Sequence, residues 1–524
     1  MAVFELIIAL LLAGAVLSSW ARSLKTPYPA LLALAGAGLA LIPNAPRVAL
    51  DPQLALALFV APVLLDAAFD SSPRDLKQNW RPLVSLALVA VALTVAAVAV
   101  VARWIVPELS WASAIALGAI VAPPDAAAAS AVLKQLRPPH RVLVIIEGES
   151  LFNDASALLI YRLAVGAALT GSFSASTALP MLALVCLGSV ALGAILSRVI
   201  VTLTERVVDV PTAVILQFLS TFSVWMLAER LHLSGIITMV VFAIMVARTT
   251  PLRTPARLRI PSYAVWEVTV FVLNVLAFIL VGLQLKPILE HLGGAQRVTY
   301  LIASAAVCAA VILVRVAWVM GYAVVARAIR GRTGAHLPRP ALNQSLRAAA
   351  VVAWCGMRGI VTLAAALALP ADFPHRDLLL LASFSVVLVT LVLQGLTLTP
   401  LMRLLALAGD DTVAREIRLA RVEVARAALA ALGDGDSGGG GGELLRRKLE
   451  SHLQRAEQAA ADPAAPDSRA DETEALHRAH LAERRTLFDL RARGVIGDDA
   501  FHRVEEELDW AELNAEGMAR SSEV

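Results

Sequence analysis

Residues 142–165 read VLVIIEGESLFNDASALLIYRLAV, an apolar segment of membrane-crossing length that carries Glu147, Glu149, Asp154 and Arg162. A spanning helix needs ~20 mainly apolar residues, and an ionisable group inside one is costly enough to be a functional candidate by default. Helical spacing puts Glu147, Ser150 and Asp154 at i, i+3 and i+7 on one face, with Glu149 and Asn153 at i, i+4 beside it. Asp154 lies deep in the segment with no basic residue within a turn. A bare carboxylate there must hold a proton, bind a cation or meet an arginine from another helix. For Glu149 a structural ion pair is the favoured reading. For Asp154, Ser150 and Asn153 add neighbouring oxygens of the kind that hard monovalent cations prefer.

The segment before it, WASAIALGAIVAPPDAAAASAVLKQL (111–136), is broken by Pro123, Pro124 and Asp125. Proline removes backbone donors, and such a break survives at membrane depth only against protein or a wet cavity. WCGMRGIVTLAAAL (354–367) carries a comparable interruption, with Gly356 and Gly359 flanking Arg358. The further intramembrane ionisable residues are Asp66, Glu267 and Arg315.

Thirteen stretches approximate a spanning length, at 3–20, 30–42, 54–70, 83–106, 111–133, 142–169, 182–203, 213–231, 234–247, 265–285, 301–326, 348–369 and 378–401. The predicted fold class is therefore an all-α polytopic membrane protein with about 13 transmembrane helices. The broken spans lie seven apart and so run in opposite directions, as an inverted repeat requires. Matched interrupted spans in two halves point to a midplane site of a secondary transporter.

With 58% hydrophobic and 17% charged residues, the chain is far from a soluble enzyme. Residues 1–409 hold 29 Lys+Arg against 17 Asp+Glu, a net +12, and residues 410–524 hold 16 against 25, a net −9. The basic excess belongs to membrane orientation and not to nucleic-acid binding. Loops after odd-numbered spans carry 19 Lys+Arg and those after even-numbered spans carry 6. The positive-inside bias then puts the N-terminus outside and the tail in the cytoplasm. Cys186, Cys308 and Cys355 sit in apolar stretches without metal or redox spacing.

The expected domains are a transmembrane transport domain at 1–408, a juxtamembrane helix at 409–432, a Gly-rich linker at 433–442 and an acidic helical tail at 443–524. Within the tail, 443–460 and 474–518 read as amphipathic helices. The tail suits either a cytoplasmic regulator or a solvated helical appendage.

The runs EGESLFNDASALLIYR and APPDAAAASAVLKQL resemble the monovalent cation:proton antiporter-1 family, bacterial sodium/proton antiporters related to animal sodium/proton exchangers. WCGMRGIVTLAAALALP, LHLSGIITMVVFAIMVAR, WEVTVFVLNVLAFILVGLQL, LFVAPVLLDAAFD and the tail segment ERRTLFDLRARGVIGDDAFHRVEEELD resemble further segments of it in the right order. The resemblance implies inverted repeats with two crossed broken helices. Asp154 of the pair Asn153-Asp154 is then the exchange carboxylate, Ser150 a further ligand of Na+, and Asp125 a border of the site. Glu149 and Arg358 match an ion pair of the core, and Arg315 matches another basic position that competes for Glu149. Asp66 stands where relatives usually carry a longer glutamate near the ion. The resemblance further implies a homodimer in the bacterial inner membrane, surrounded by lipid, with no cofactor beyond the transported ions Na+ (or Li+) and H+.

In mechanism, a proton or a cation neutralises Asp154 and lets the loaded site change sides, while the empty site is held back by its bare charge. Neutral Asn153 supplies no second titrating group, which favours one-for-one, electroneutral exchange. K+/H+ antiport is the alternative within the family. A membrane-embedded hydrolase is the remote one; no HExxH occurs, and the nine histidines lie in loops, span ends or the tail.

Overall fold

The computed structural model describes residues 2–24, 27–42, 52–136, 138–171, 175–290, 297–333, 345–407, 409–432 and 440–461, with shorter runs between 479 and 511. No strand occurs among the described residues. The chain divides after Gly409 into two compact units.

The first unit opens with α1 (Ala2–Leu24) and α2 (Tyr28–Leu41), the latter started by a proline in its first turn. The short α3 (Pro52–Ala55) continues through a π-helical turn, Leu56–Val60, into α4 (Ala61–Asp70). Then come α5 (Pro73–Gln78) and α6 (Trp80–Val84), which passes through a second π segment, Ser85–Ala90, into α7 (Val91–Ile105). The broken pair α8 (Trp111–Val121) and α9 (Ala126–Leu136) precedes the polar α10 (His140–Thr170). Helices α11 (Ala175–Thr204), α12 (Val210–Arg230), α13 (Gly235–Arg253) and α14 (Ala256–Leu283) follow, then the short α15 (Leu285–Glu290) and the long α16 (Arg297–Thr333). The second broken pair is α17 (Leu346–Trp354) and α18 (Ile360–Leu367). Helix α19 (Arg376–Val389) runs through a third π segment, Thr390–Gln394, into α20 (Gly395–Leu405).

Among the described residues of this unit, eight helices are long and apolar enough to cross a membrane, and Ile7–Ala21, Tyr28–Leu41 and Gly235–Thr250 are shorter apolar helices. Their burial sorts them. The spans Trp111–Ser130 and Arg376–Leu405 are each 72% buried, whereas Pro180–Thr204 is 22% buried and presents Leu184 and Leu187 outward. Lipid is as apolar as leucine, so helices here associate by close packing, which small residues permit. A Cβ on Gly36 or on Gly282 would collide with backbone of the facing helix, so these two glycines let α2 and α14 touch main chain to main chain.

In the second unit, α21 (Thr412–Ala431) packs along α22 (Gly440–Ala461), and Arg426 meets Glu457 at 2.8 Å. Helix α22 begins at Gly440, inside the stretch read from composition as linker; residues 433–439 lie outside the described residues. Of the expected helix at 474–518, residues 482–490 and 507–511 are helical, and much of the remainder lies outside the described residues.

Candidate functional site

The two interruptions meet. Pro123 and Pro124 have no N–H to give to the carbonyls one turn back, and the Asp125 N–H bonds instead to the Met357 carbonyl at 2.7 Å, in the other break. The freed carbonyls at the end of α8 are taken by Arg358. Its Nε donates to the Val121 carbonyl at 3.0 Å, its Nη2 to the Ala122 carbonyl at 3.1 Å, and its Nη1 to the Gly356 carbonyl. The Arg358 N–H donates to Thr390 Oγ1 at 3.0 Å, which ties the second break to the π segment of the last span. Both glycines of the second break are required by contact. A Cβ on Gly359 would collide with the Asp125 carboxylate, and one on Gly356 would stand 2.8 Å from Arg358 Nη1 and 2.9 Å from Arg315 Nε.

Asp125 is half-buried and acts as the cap of α9, its Oδ1 accepting the Ala127 N–H at 2.9 Å. Helix α10 closes the other side. Ser150 Oγ accepts the Ala126 N–H at 3.4 Å, and Asn153 Nδ2 donates to the Pro124 carbonyl at 3.4 Å. Of the residues singled out in the sequence, Pro123, Pro124, Asp125, Ser150, Asn153, Gly356, Arg358 and Gly359 lie together where the two breaks meet α10. Sequence reasoning missed Thr390 and the Met357 carbonyl, the first hidden in an apolar span and the second carrying no side-chain signal.

Glu149 and Asp154 end differently. Glu149 is 1% exposed and makes a two-pronged pair with Arg315 of α16, at 2.5 Å and 2.9 Å. Arg315 Nη2 also donates to the carbonyls of Val352 (3.0 Å) and Cys355 (3.3 Å) at the end of α17. The expected partner, Arg358, is not the one that Glu149 meets. Arg358 stands inside a break, where unpaired carbonyls surround it, whereas Arg315 projects from an unbroken helix toward Glu149.

Asp154 is 5% exposed, and no hydrogen bond or ion pair to it occurs among the described residues. Beside it, Asn153 is fully buried and its Oδ1 has no hydrogen-bond partner among the described residues. A carboxylate and an amide oxygen, both unpaired in a dry setting, suit a hard cation or a proton. No group of three or more His, Cys, Asp or Glu that could hold a metal ion occurs among the described residues.

Two cavities approach this core from opposite ends of the same helices. The first, about 680 Å³, is lined by Asp66 and Asp70 at the end of α4, Glu205 after α11, Thr250 late in α13 and Glu267 of α14. The second, about 940 Å³, is lined by Leu56 at the start of that span, Gly235 at the start of α13, and Leu158 and Arg162 of α10. Leu158 is one turn beyond Asp154 on α10. Between the cavities lies an apolar plug that includes Val60, Leu64, Leu151, Met239 and Val240. Asp66 therefore lines the first cavity, on the far side of this plug from the second.

Residues 7–404 match the family model described as sodium/hydrogen exchanger, transmembrane. The chain belongs to the sodium/hydrogen exchanger family. It is 31% identical to an uncharacterized Na+/H+ exchanger of Mycobacterium tuberculosis, over 98% of this chain and 96% of that protein. It is 29% identical to a sodium, potassium, lithium and rubidium/H+ antiporter of Bacillus pumilus, over 78% of this chain and 62% of that one. Its fold is similar to that of the sodium proton antiporter MjNhaP1 from Methanocaldococcus jannaschii, with a TM-score of 0.59, 19% identity, and coverage of 75% of this chain and 99% of that chain. The chain is thus an integral membrane protein of a cation/proton antiporter family, a transporter and not an enzyme.

Proposed function

We propose that this chain exchanges Na+ or Li+ for H+ across the bacterial cell membrane, one for one, with proton and cation competing for the Asp154 carboxylate. The observation that carries the reading is the contrast within one buried cluster. Glu149, Arg315 and Arg358 are all engaged, and among the described residues Asp154 alone of the core charges has neither a hydrogen bond nor an ion pair. Asn153 Oδ1 and Ser150 Oγ supply neutral oxygens beside it, and Asp125, already capping α9, borders the site. Because Asn153 does not titrate, one exchangeable charge serves both substrates, and the cycle moves no net charge.

In this reading the loop charges place the first cavity on the cytoplasmic side, the second outside and the tail in the cytoplasm. The four carboxylates lining the first cavity (Asp66, Asp70, Glu205 and Glu267) concentrate cations on their way to the core. Asp66 acts there as an attractor at the approach to the ion. Exchange proceeds by alternating access, with α8–α10 and α17–α20 moving against the bundle that contains α4 and α11–α14. The chain works as a homodimer, and Ile8, Leu12, Val16 and Trp20 on the outer face of α1 offer apolar surface for a second copy.

K+/H+ exchange is the second reading, favoured by the relative from Bacillus pumilus whose name includes potassium. The deciding experiment is a pH-dye assay in proteoliposomes with Na+, Li+ and K+ pulses. The wild type is expected to alkalinise or acidify in response to Na+ and Li+ without a membrane potential. Asp154→Asn is expected to insert and fold but show no cation-driven pH change. Exchange retained by that variant removes Asp154 from the mechanism, and a response to K+ equal to that for Na+ replaces the first ion choice by the second.

A further inference from the structure

Arg162, an intramembrane arginine of α10, has no part in the exchange chemistry above. It lies two turns beyond Asp154 and is 43% exposed at its side chain, as is its partner Glu229 near the end of α12. Arg162 Nη2 donates to both Glu229 oxygens, at 2.9 Å and 3.0 Å, and Nη1 donates to the Leu233 carbonyl at 3.4 Å. Glu229 Oε1 also accepts the Gly235 N–H at 3.4 Å, at the start of α13. Both side chains line the second cavity. The arginine therefore stands on the wall formed by α10, and every group it holds stands on the opposite wall, formed by the α12–α13 corner.

That corner is a firm anchor. His232 within it takes a left-handed backbone conformation at φ 55°, and the Ser234 N–H is held by Ser189 Oγ of α11 at 2.9 Å. A side chain gripping it pulls on the helix that carries Asp154 and on nothing softer. Glu229 is also the single carboxylate among the described residues lining this cavity, beside Arg162, Arg230 and His232. With Arg162 seated on it, the cavity offers an incoming cation no unpaired carboxylate.

We propose that the Arg162–Glu229 bridge is a latch across the second cavity, a positioning pair whose release accompanies exposure of the ion site to that side. The proposal rests on the exchange reading above, since only alternating access requires these walls to separate. A partly exposed ion pair is worth little in overall stability, but it biases a near-balanced equilibrium by a measurable factor. Its loss favours the state open to the second cavity and leaves the chemistry at Asp154 intact.

The test uses the full-length protein in right-side-out and everted vesicles, with cation-driven pH change recorded for Na+ offered to each face. Arg162→Gln and Glu229→Gln are each expected to lower the apparent KM for Na+ by about two- to fivefold on the second cavity's face. The KM on the other face is expected to rise, because the state open to that face loses population. The swapped pair Arg162→Glu/Glu229→Arg is expected to restore the wild-type KM. A fall in KM on both faces, or failure of the swap to restore, would overturn the latch. A second measurement covers variants that fold poorly. With Cys186, Cys308 and Cys355 replaced by alanine, Arg162→Cys/Glu229→Cys is bridged by a short bis-maleimide. Bridging is expected to abolish exchange that the unbridged double variant performs. Full exchange by the bridged protein would show that the two walls never part. Absence of exchange in the wild type itself would instead sink the antiport reading.

Discussion

Glu149 and Asp154 stand five residues apart on one helix, both carboxylates and both buried, and the structure treats them oppositely. Glu149 receives a two-pronged guanidinium whose Nη2 also serves the carbonyls of Val352 in α17 and of Cys355 at its end. Asp154 receives no hydrogen bond or ion pair among the described residues. The lesson is that burial alone does not make a carboxylate functional. A buried charge with a fixed counter-charge is spoken for, and removing either partner exposes the full desolvation penalty. A buried carboxylate with no counter-charge is stable only when something mobile neutralises it, which is the property an exchanger needs.

The largest effect expected from breaking this contrast is at Asp154 itself. Asp154→Asn should eliminate cation-dependent proton flux down to the level of empty liposomes, yet leave thermal unfolding in detergent at or above that of the wild type. A large drop in melting temperature would mean that Asp154 is structural after all.

Next comes the paired carboxylate. Glu149→Ala or Arg315→Ala should destabilise the fold by about 3–5 kcal/mol, read as lost thermal stability, because each leaves an uncompensated charge. The double change Glu149→Leu/Arg315→Met should recover most of that loss, though not all, since Val352 and Cys355 lose their donor. Single variants with unchanged melting would show that the pair does not hold α10 to α16.

A smaller effect is expected at the meeting of the breaks. Gly359→Ala places a methyl group against the Asp125 carboxylate and should cost about 1–3 kcal/mol, with a slower exchange rate. Gly38, around which a Cβ meets nothing, is the matched control, and Gly38→Ala should be silent.

The smallest effect lies outside the spans, at Asp75. Burial pushes its carboxyl up, but hydrogen bonds with His140, Ser72 and Arg74 and the Arg74 charge outweigh that and hold it below its ordinary 3.8. A depressed carboxylate stabilises the fold above its ordinary range, and that contribution fades as pH falls through the lowered value. Asp75→Asn should therefore lower thermal stability slightly near neutral pH, with the difference from the wild type vanishing in strong acid. A difference independent of pH would show that the charge is not what matters.

Much of this arrangement was legible in the chain. The proline pair at 123–124 and the glycines at 356 and 359 marked both interruptions, because a missing donor and a missing side chain leave their trace in residue type. The charge bias of the loops and the run of apolar stretches gave the membrane class for the same reason. What could not be read was which arginine Glu149 would meet. Arg315 is 166 residues away from it in sequence, and the choice turned on Arg358 being captured by carbonyls that exist only once α8 has been broken.

Sequence by itself determined which helices are interrupted, which side chains would be costly in an apolar medium and where the polar tail begins, since each follows from local chemistry. Tertiary structure alone decided that the two breaks touch, that Glu149 is neutralised while Asp154 is not, and that Arg162 reaches across a cavity to Glu229. Those are outcomes of competition among distant groups for the same few partners. Only packing brings the competitors within reach of one another.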